Sequence, residues 1–170
     1  MLDEMKKPAT IFVFVFTLLF FGCAGPSSKT QESEQAAVPS TNDLPNMLIT
    51  TLDQSKVNIH ELSGKIILIL FQPDCDHCQR EAKEIRENLD AFEGYSLYFI
   101  SADPVVAIEK FGREYDLLGH SNIYLAETTV ENVINNFGSI PAPSVYIYSG
   151  QLLVQKFNGE VPIQKILNAI

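Results

Sequence analysis

The stretch IILILFQPDCDHCQRE, residues 66–81, places two of the chain's three cysteines shortly after a run of six apolar residues. A continuous apolar run that contains β-branched residues is typical of a central strand buried on both faces. A helix is predicted to begin at about Cys75 and to end at Gly94, because the apolar residues between them recur at intervals of four and three. These residues are Cys78, Ala82, Ile85, Leu89 and Phe92. The cysteine pair is therefore predicted to lie where a buried strand leads into a helix.

The rest of the chain from residue 44 onward alternates strand and helix patterns. A hairpin around Asp53-Gln54 is predicted before the central strand. Further strands are predicted at 95–101, 122–126, 144–148 and 152–157. Helices are predicted to start at Asp103-Pro104, at the capping box 128–131 and at Pro162. Such alternation predicts one α/β domain in which a central mixed sheet carries helices on both faces.

Two of these helices carry more detailed predictions. Asp103 is predicted to be the N-cap of its helix, and Thr128 the N-cap of the next one. The helix after Thr128 has one apolar face that is predicted to be buried. Its members are Val130, Val133, Ile134 and Phe137.

The first residues have the layout of a secretory signal. Two lysines precede an uncharged apolar run at 11–21, and Gly22-Cys23 follows at once. The run is short for a membrane span, which needs about 20 apolar residues. Residues 1–22 resemble a bacterial lipoprotein signal, which implies cleavage before Cys23 and lipidation of its thiol. The alternative is an uncleaved anchor helix, and both interpretations place the rest of the chain outside the cytoplasm.

Residues 23–43 are rich in Ser, Gln, Thr, Glu and Pro and contain no aromatic residue. Such a stretch cannot bury enough apolar surface to offset its ordering entropy. It is therefore predicted to be a flexible tether between a lipid on Cys23 and a domain at 44–170.

The chain is acidic, with 12 Lys and Arg against 21 Asp and Glu and a formal net charge of −9. No basic stripe is visible in the sequence, which argues against nucleic acid as a partner. The acidity is interpreted as a solubilising surface.

The C-x-x-C pair is predicted to form a reversible disulfide. Cys75 is placed at a helix start, where unpaired backbone N–H groups and the helix dipole favour a thiolate, so it is the predicted nucleophile. Cys78 falls on the apolar stripe and is the predicted buried, resolving cysteine. A zinc site is disfavoured because one C-x-x-C supplies two of the four ligands of a closed site, and His60 and His120 are isolated. An inert structural disulfide is the remaining alternative.

Residues 44–170 resemble the TlpA/ResA-type thioredoxin-like proteins, which are related to the AhpC/TSA redoxins. The resemblance rests on the predicted N-terminal hairpin before GKIILILFQPDCDHCQRE (64–81), on a helix and strand inserted after the redox helix, and on FGSIPAPSVYIYSGQLL (137–153). It implies a thioredoxin-like fold with an N-terminal β-hairpin extension, and thiol–disulfide exchange. Peroxiredoxins carry a Thr where this chain has Gln72, and copper-delivering relatives carry C-x-x-x-C, so neither activity is implied.

The resemblance also implies a cis peptide bond before Pro143. Pro141 competes for this role, but only Pro143 is followed by Ser and an apolar strand, as in the family. The backbone of Ala142 would then pair with a substrate strand beside Cys75. The alternative is an ordinary trans proline in a turn.

His77 directly precedes Cys78, as in oxidising and isomerising members of the wider superfamily. An imidazole near Cys75 would stabilise the thiolate and make the disulfide a stronger oxidant. Asp74 and Asp76 would act in the opposite direction. The alternative is a solvated side chain in the first helical turn, so the direction of electron flow stays open.

Glu81 is the predicted proton acceptor of the site. Many thioredoxins carry an acid six residues before the first cysteine, where this chain has Ile69. Glu81 lies one helical turn after Cys78, about 60° from the centre of the apolar stripe, and members of the family often carry an acid there. Partial burial would raise its pKa toward neutrality and suit it to general base catalysis. The alternative is a solvated acid that interacts with the helix dipole.

These features predict a thiol–disulfide oxidoreductase of the bacterial cell envelope, lipid-anchored, extracytoplasmic and facing the periplasm. Its partners would be protein thiols or disulfides and an upstream redox partner that resets the cysteine pair. No cofactor and no metal are expected. The alternative is a lipid-anchored binding module that keeps the redoxin fold and a structural disulfide without turnover.

The N-terminal interpretation predicts a defined mature species. We expect mass spectrometry of the membrane fraction to find a protein that begins at Cys23 and carries the added mass of lipid. A Cys23→Ala variant should lack this lipid mass, because the acceptor thiol is missing. A soluble mature form without Cys23 would contradict the interpretation.

Overall fold

The computed structural model describes residues 41–170 and contains seven strands in that range. The strands are β1 (Leu48–Thr51), β2 (Lys56–Asn58), β3 (Lys65–Leu70), β4 (Tyr95–Ser101), β5 (Ile123–Glu127), β6 (Ser144–Ser149) and β7 (Leu152–Asn158). The α-helices are α1 (Asp76–Glu87), α2 (Val105–Glu114), α3 (Val130–Phe137) and α4 (Ile163–Leu167), and two 3-10 helices cover Ile59–Glu61 and Leu89–Phe92. The predicted signal at 1–22, Cys23 and most of the predicted tether lie outside the described residues.

The strands form a single mixed sheet in the order β2-β1-β5-β4-β3-β6-β7. Strands β3, β4 and β5 are parallel, β6 runs antiparallel beside β3, and β7 pairs antiparallel with β6 on its other side. The hairpin β1–β2 extends the sheet because β1 pairs antiparallel with β5. The predicted alternation and the N-terminal β-hairpin extension are both confirmed.

Strand β3 lies at the centre of two apolar cores, one on each face of the sheet. Ile67 and Ile69 point into the core that α1, α2 and α4 cover. Ile66, Leu68 and Leu70 point into the opposite core, which α3 covers only in part. The rest of that second face is closed by buried residues of the N-terminal segment, namely Leu44, Met47, Ile49 and Ile59. A continuous apolar run is therefore required in β3, because both of its faces are dry.

Helix α1 ends earlier than predicted. It stops at Glu87, and Asn88 adopts a non-helical conformation and donates a side-chain hydrogen bond to the Glu84 carbonyl (2.8 Å). Asn side chains compete in this way for backbone groups and so favour helix ends. The apolar stripe continues through the 3-10 helix, where Phe92 is fully buried.

The start of α2 also differs from the prediction. Pro104, and not Asp103, is the N-cap residue, and no side chain caps this helix. Asp103 instead accepts a hydrogen bond from the Ser101 hydroxyl (2.9 Å), and its N–H donates to the same Ser101 oxygen (3.1 Å). The carboxylate is thus held at the end of β4 and does not bond the first turn of α2.

The N-cap of α3 is one residue later than predicted. Thr129 accepts a hydrogen bond from the N–H of Asn132 (3.1 Å) and is the N-cap. Thr128 instead donates to the Leu48 carbonyl (3.2 Å) and so ties the start of α3 to β1.

The prediction of a buried apolar face on α3 is correct for two of its four residues. Val133 and Phe137 are partly buried against the second core. Val130 and Ile134, however, are 61% and 55% exposed. The helix therefore has a wider apolar surface than its packing uses.

Within residues 41–170, no helix combines the length and the apolar character needed to cross a membrane.

The central position of β3 generates a stability prediction. Ile67 pairs with Leu97 of β4 and Ile147 of β6 and is 1% exposed. We expect Ile67→Ala to lower the free energy of unfolding by about 2–5 kcal/mol, because it removes buried methyl groups and leaves a cavity. Urea unfolding followed by circular dichroism measures the change. Val154→Ala on β7, at an exposed position, is the matched control and should cost less than about 1 kcal/mol. Equal costs for both variants would contradict the assigned core.

Candidate redox site

The site begins where β3 ends and the chain turns into α1. After Leu70 the residues 71–75 form a short loop, in which the Cys75 N–H donates to the Gln72 carbonyl (3.2 Å). Pro73 fits this turn because its ring presets the backbone angle that turns need. Cys75 is the N-cap residue of α1 and has an extended backbone (φ −86°, ψ 115°) without a capping hydrogen bond from its side chain. Its thiol therefore lies at the end of the helix where the backbone N–H groups lack helical partners.

The two cysteines have different environments, as predicted. Both are free thiols. Cys75 is half-buried, and its Sγ lies 3.7 Å from the carbonyl oxygen of Ala142. Cys78 is 2% exposed, and its Sγ accepts a hydrogen bond from the Gln72 N–H (3.5 Å). Burial raises the pKa of Cys78 far above its ordinary value, and the neighbouring Cys75 and the charge of Glu81 raise it further.

The second wall of the site is the loop before β6. The Ala142–Pro143 peptide bond is cis, so the prediction for Pro143 over Pro141 is confirmed. The buried Ser144 hydroxyl donates to the Pro141 carbonyl (2.7 Å). The Pro143 carbonyl accepts from the Gly159 N–H (2.8 Å). These bonds hold the loop so that the Ala142 carbonyl lies against Cys75.

Glu81 is more deeply buried than predicted. It is 1% exposed, and neither carboxylate oxygen has a hydrogen-bond partner among the described residues. Burial raises the pKa of Glu81 to about 8, and the negative charges of Glu160 and Glu84 add to the effect. A carboxyl group with this pKa can hold or release a proton near neutral pH. The interpretation of Glu81 as a solvated first-turn acid is wrong.

His77 is exposed, and its ring makes its polar contacts with Glu160 and Arg80 rather than with Cys75. Its Nδ1 contacts the carboxylate of Glu160, which also accepts two hydrogen bonds from Arg80 (2.8 and 2.7 Å). Arg80, and to a lesser extent His77, lower the pKa of Glu160 to about 2. The Arg80 guanidinium also lies 2.6 Å from His77 Nδ1, so His77 is part of a cluster with one carboxylate and one guanidinium rather than a separate charge beside Cys75.

Glu160 is the site residue that sequence reasoning missed. It follows β7, 83 positions after His77, so no spacing along a helix or strand connects the two. In the sequence, the one feature that distinguishes Glu160 is its position shortly after the last predicted hairpin.

Within residues 41–170, no cluster of three or more His, Cys, Asp or Glu side chains could hold a metal ion. The chemistry that the described groups offer is that of two thiols, a carboxyl group that titrates near neutrality and a backbone carbonyl.

Comparisons with known proteins agree with this geometry. The family model of the AhpC/TSA family matches residues 41–157. The thiol-disulfide oxidoreductase ResA of Bacillus cereus (strain ATCC 10987 / NRS 248) is 23% identical over 162 residues, which cover 92% of this chain and 91% of ResA.

Solved structures show the same fold at low identity. MTB dsbF, in its mixed oxidized and reduced forms, has a TM-score of 0.65 at 17% identity, with 76% of this chain and 96% of that chain covered. A secreted Mycobacterium tuberculosis disulfide oxidoreductase homologous to E. coli DsbE has a TM-score of 0.62 at 16% identity, with 73% and 93% covered. The chain belongs to the AhpC/TSA family and is a redoxin of the thioredoxin-like TlpA/ResA type.

Proposed function

We propose that this thioredoxin-like oxidoreductase exchanges disulfides with protein substrates, with Cys75 as the nucleophile and Cys78 as the resolving cysteine. One observation carries the proposal. Cys75 lies at the accessible N-terminus of α1 against the Ala142 carbonyl, whereas Cys78 is buried one turn further along the same helix.

The first step is an attack by the Cys75 thiolate. The unpaired N–H groups and the dipole of α1 stabilise negative charge on this sulfur. The thiolate attacks one sulfur of a substrate disulfide, the substrate S–S bond breaks, and one substrate thiolate leaves. Cys75 is then joined to the substrate in a mixed disulfide.

The second step requires Cys78 to lose its proton in a buried environment that opposes ionisation. The ionised carboxylate of Glu81, three residues further along α1, accepts this proton once the two side chains come within hydrogen-bond reach, since the described structure has no hydrogen bond between them. The Cys78 thiolate then attacks Cys75 Sγ, the bond between Cys75 and the substrate breaks, and the second substrate thiolate leaves. The cysteine pair has given two electrons to the substrate and become a disulfide. The reverse sequence oxidises a substrate dithiol, so the direction depends on the substrate and on the upstream partner.

The loop at Ala142 and Pro143 would hold the substrate during both steps. An extended segment could pair with the backbone of Ala142 in the manner of an added strand. Such pairing would bring the substrate sulfur to Cys75, because the Ala142 carbonyl is 3.7 Å from that thiol.

We also propose that the protein works outside the cytoplasm, anchored by a lipid on Cys23 and facing the periplasm. The apolar run at 11–21 and the Gly22-Cys23 junction support this placement. An upstream redox partner would then restore Cys75 and Cys78 after each turnover.

The assignment of Cys75 predicts the order of alkylation. We expect iodoacetamide at neutral pH to modify Cys75 before Cys78 in the reduced protein, since a buried thiol with a raised pKa holds little thiolate. Peptide mapping by mass spectrometry distinguishes the two sites and Cys23. Insulin reduction by the wild type and its loss in Cys75→Ser is the activity test. Faster labelling of Cys78, or full activity of Cys75→Ser, would contradict the proposal.

The role of Glu81 predicts a pH profile for the second step. In wild type the rate of this step should rise with pH up to about 8 and then level off, because the base must be ionised. We expect Glu81→Gln to slow the step by about a hundredfold and to remove this rise. Stopped-flow reaction with an aromatic disulfide reports both steps, since each releases one coloured thiolate. All proteins in this experiment should also carry Cys23→Ser, so that only Cys75 and Cys78 react with the disulfide.

The matched control is Glu87→Gln, an exposed position on the same helix. Its two kinetic phases should match those of the wild type.

Burial of Glu81 also predicts a pH dependence of stability, because the unfolded chain releases the Glu81 proton near pH 4.5 and the folded chain only near pH 8. Between these values the wild type should lose about 1.4 kcal/mol per pH unit relative to Glu81→Gln. Parallel stability curves and unchanged kinetics would contradict the proposed role.

A further inference from the structure

Helix α3 exposes an apolar surface that its own packing does not need. Val130 and Ile134 are 61% and 55% exposed, although they continue the apolar face that packs on the core through Val133 and Phe137. Exposed apolar side chains that cluster beside a functional site mark surfaces where a partner binds.

These two side chains form one wall of a groove of about 250 Å³ at the ends of β3 and β4. The groove is mostly apolar, and its walls and floor include Leu70, Phe71, Ile100, Val130, Ile134 and Ile140.

The groove is continuous with the redox site. Gln72 and Ala142 line it, and both also contact the cysteine pair. The Gln72 N–H donates to Cys78 Sγ, and the Ala142 carbonyl lies against Cys75 Sγ. A substrate joined to Cys75 must lie on Ala142, so the neighbours of its cysteine reach the groove within a few residues of extended chain, at about 3.3 Å per residue.

The size and lining of the groove restrict its occupant. Its volume is smaller than the 300–1,000 Å³ that is usual for pockets that hold cofactor-sized ligands. It is large enough for one or two side chains. The lining offers few hydrogen-bonding groups, so a large apolar side chain fits it better than a sugar or a phosphate.

Charge adds a second restriction. Asp103 lines the groove, and Asp74 and Asp76 flank Cys75. No Lys or Arg is among the residues that line it. The Asp103 carboxylate in the groove and the two carboxylates next to Cys75 attract a positively charged segment and repel an acidic one.

We propose that this groove binds an extended segment of the protein substrate that carries a large apolar side chain and a positive charge near its reactive cysteine. The inference rests on the proposed thiol–disulfide exchange and names the substrate class of the same site. Val130 and Ile134 are its specificity-determining residues, because they contact the apolar side chain and leave the reacting sulfurs untouched.

The test uses the full chain with Cys23→Ser in mild detergent and four disulfide probes. Three are symmetrical disulfide dimers of a short peptide with one cysteine, flanked by Leu and Lys, by Ser and Lys, or by Leu and Glu. The fourth is hydroxyethyl disulfide, which is too small to reach the groove. In each reaction the reduced pair becomes the Cys75–Cys78 disulfide and the probe becomes two thiols. Acid quenching, alkylation and chromatography give the second-order rate constant.

We expect the Leu-Lys dimer to react about tenfold faster than the Ser-Lys dimer, as is usual for filling an apolar pocket. It should also react severalfold faster than the Leu-Glu dimer at low salt, and this difference in rate should narrow as salt screens the three carboxylates. The double variant Val130→Gln/Ile134→Gln should abolish the preference for Leu and leave the rate with hydroxyethyl disulfide within about twofold of wild type.

The matched control is Leu152→Gln/Val154→Gln on β7, where the two apolar side chains are 51% and 53% exposed but lie outside the groove. It should keep the full preference for Leu. The inference is overturned if the α3 double variant retains that preference, or if it slows hydroxyethyl disulfide equally. It is also overturned if wild type sediments as a dimer that this variant dissociates, since a second copy would then occupy the groove. A wild type that reduces none of the four probes would instead overturn the proposed function itself.

Discussion

The pairing of β3 with β6 is the constraint on which the site depends. Leu70 at the end of β3 is opposite Ser144 at the start of β6. Because the two strands are antiparallel, the end of β3 lies beside the start of β6, and the loops that leave β3 and enter β6 meet there. The first loop carries Cys75, and the second carries Ala142 and Pro143. A slip of one residue in this register would turn the side chains of β3 to the wrong cores, so the apolar pattern of the strand also holds the site together.

The buried groups beside this edge are costly to the fold and useful to the chemistry. The carboxyl group of Glu81 has no hydrogen-bond partner within residues 41–170, so its burial costs free energy in the folded state, and its raised pKa expresses that cost. The same environment keeps the Cys78 thiol protonated until a base removes its proton. The two buried groups lie three residues apart on α1, and under the proposed function the acid would take the proton of the thiol.

The ion pairs at the mouth of the site have a different role. The side chains of Arg80 and Glu160 are 53% and 29% exposed, and ion pairs at the surface contribute about 0–1 kcal/mol to stability. Their consequence is local, because they place a carboxylate against His77 at the start of α1. His77, one of the two residues between the cysteines, thus contacts a carboxylate supplied by a distant part of the chain as well as the Arg80 guanidinium. The effect of His77 on Cys75 cannot be understood from the C-x-x-C sequence alone.

The sequence by itself determined the features that depend on local periodicity and on motifs. The strand at 66–71, the helix after Cys75 and the burial of Cys78 followed from apolar spacing, and the cis bond before Pro143 followed from the resemblance of residues 137–153 to the family's segment. Tertiary structure decided what depends on distant partners. Spacing shows which side chains share a face of a helix, but it does not show how far the neighbouring elements cover that face. The neighbouring elements enclose Glu81 fully and leave Ile134 exposed, and spacing along the helices predicted neither result.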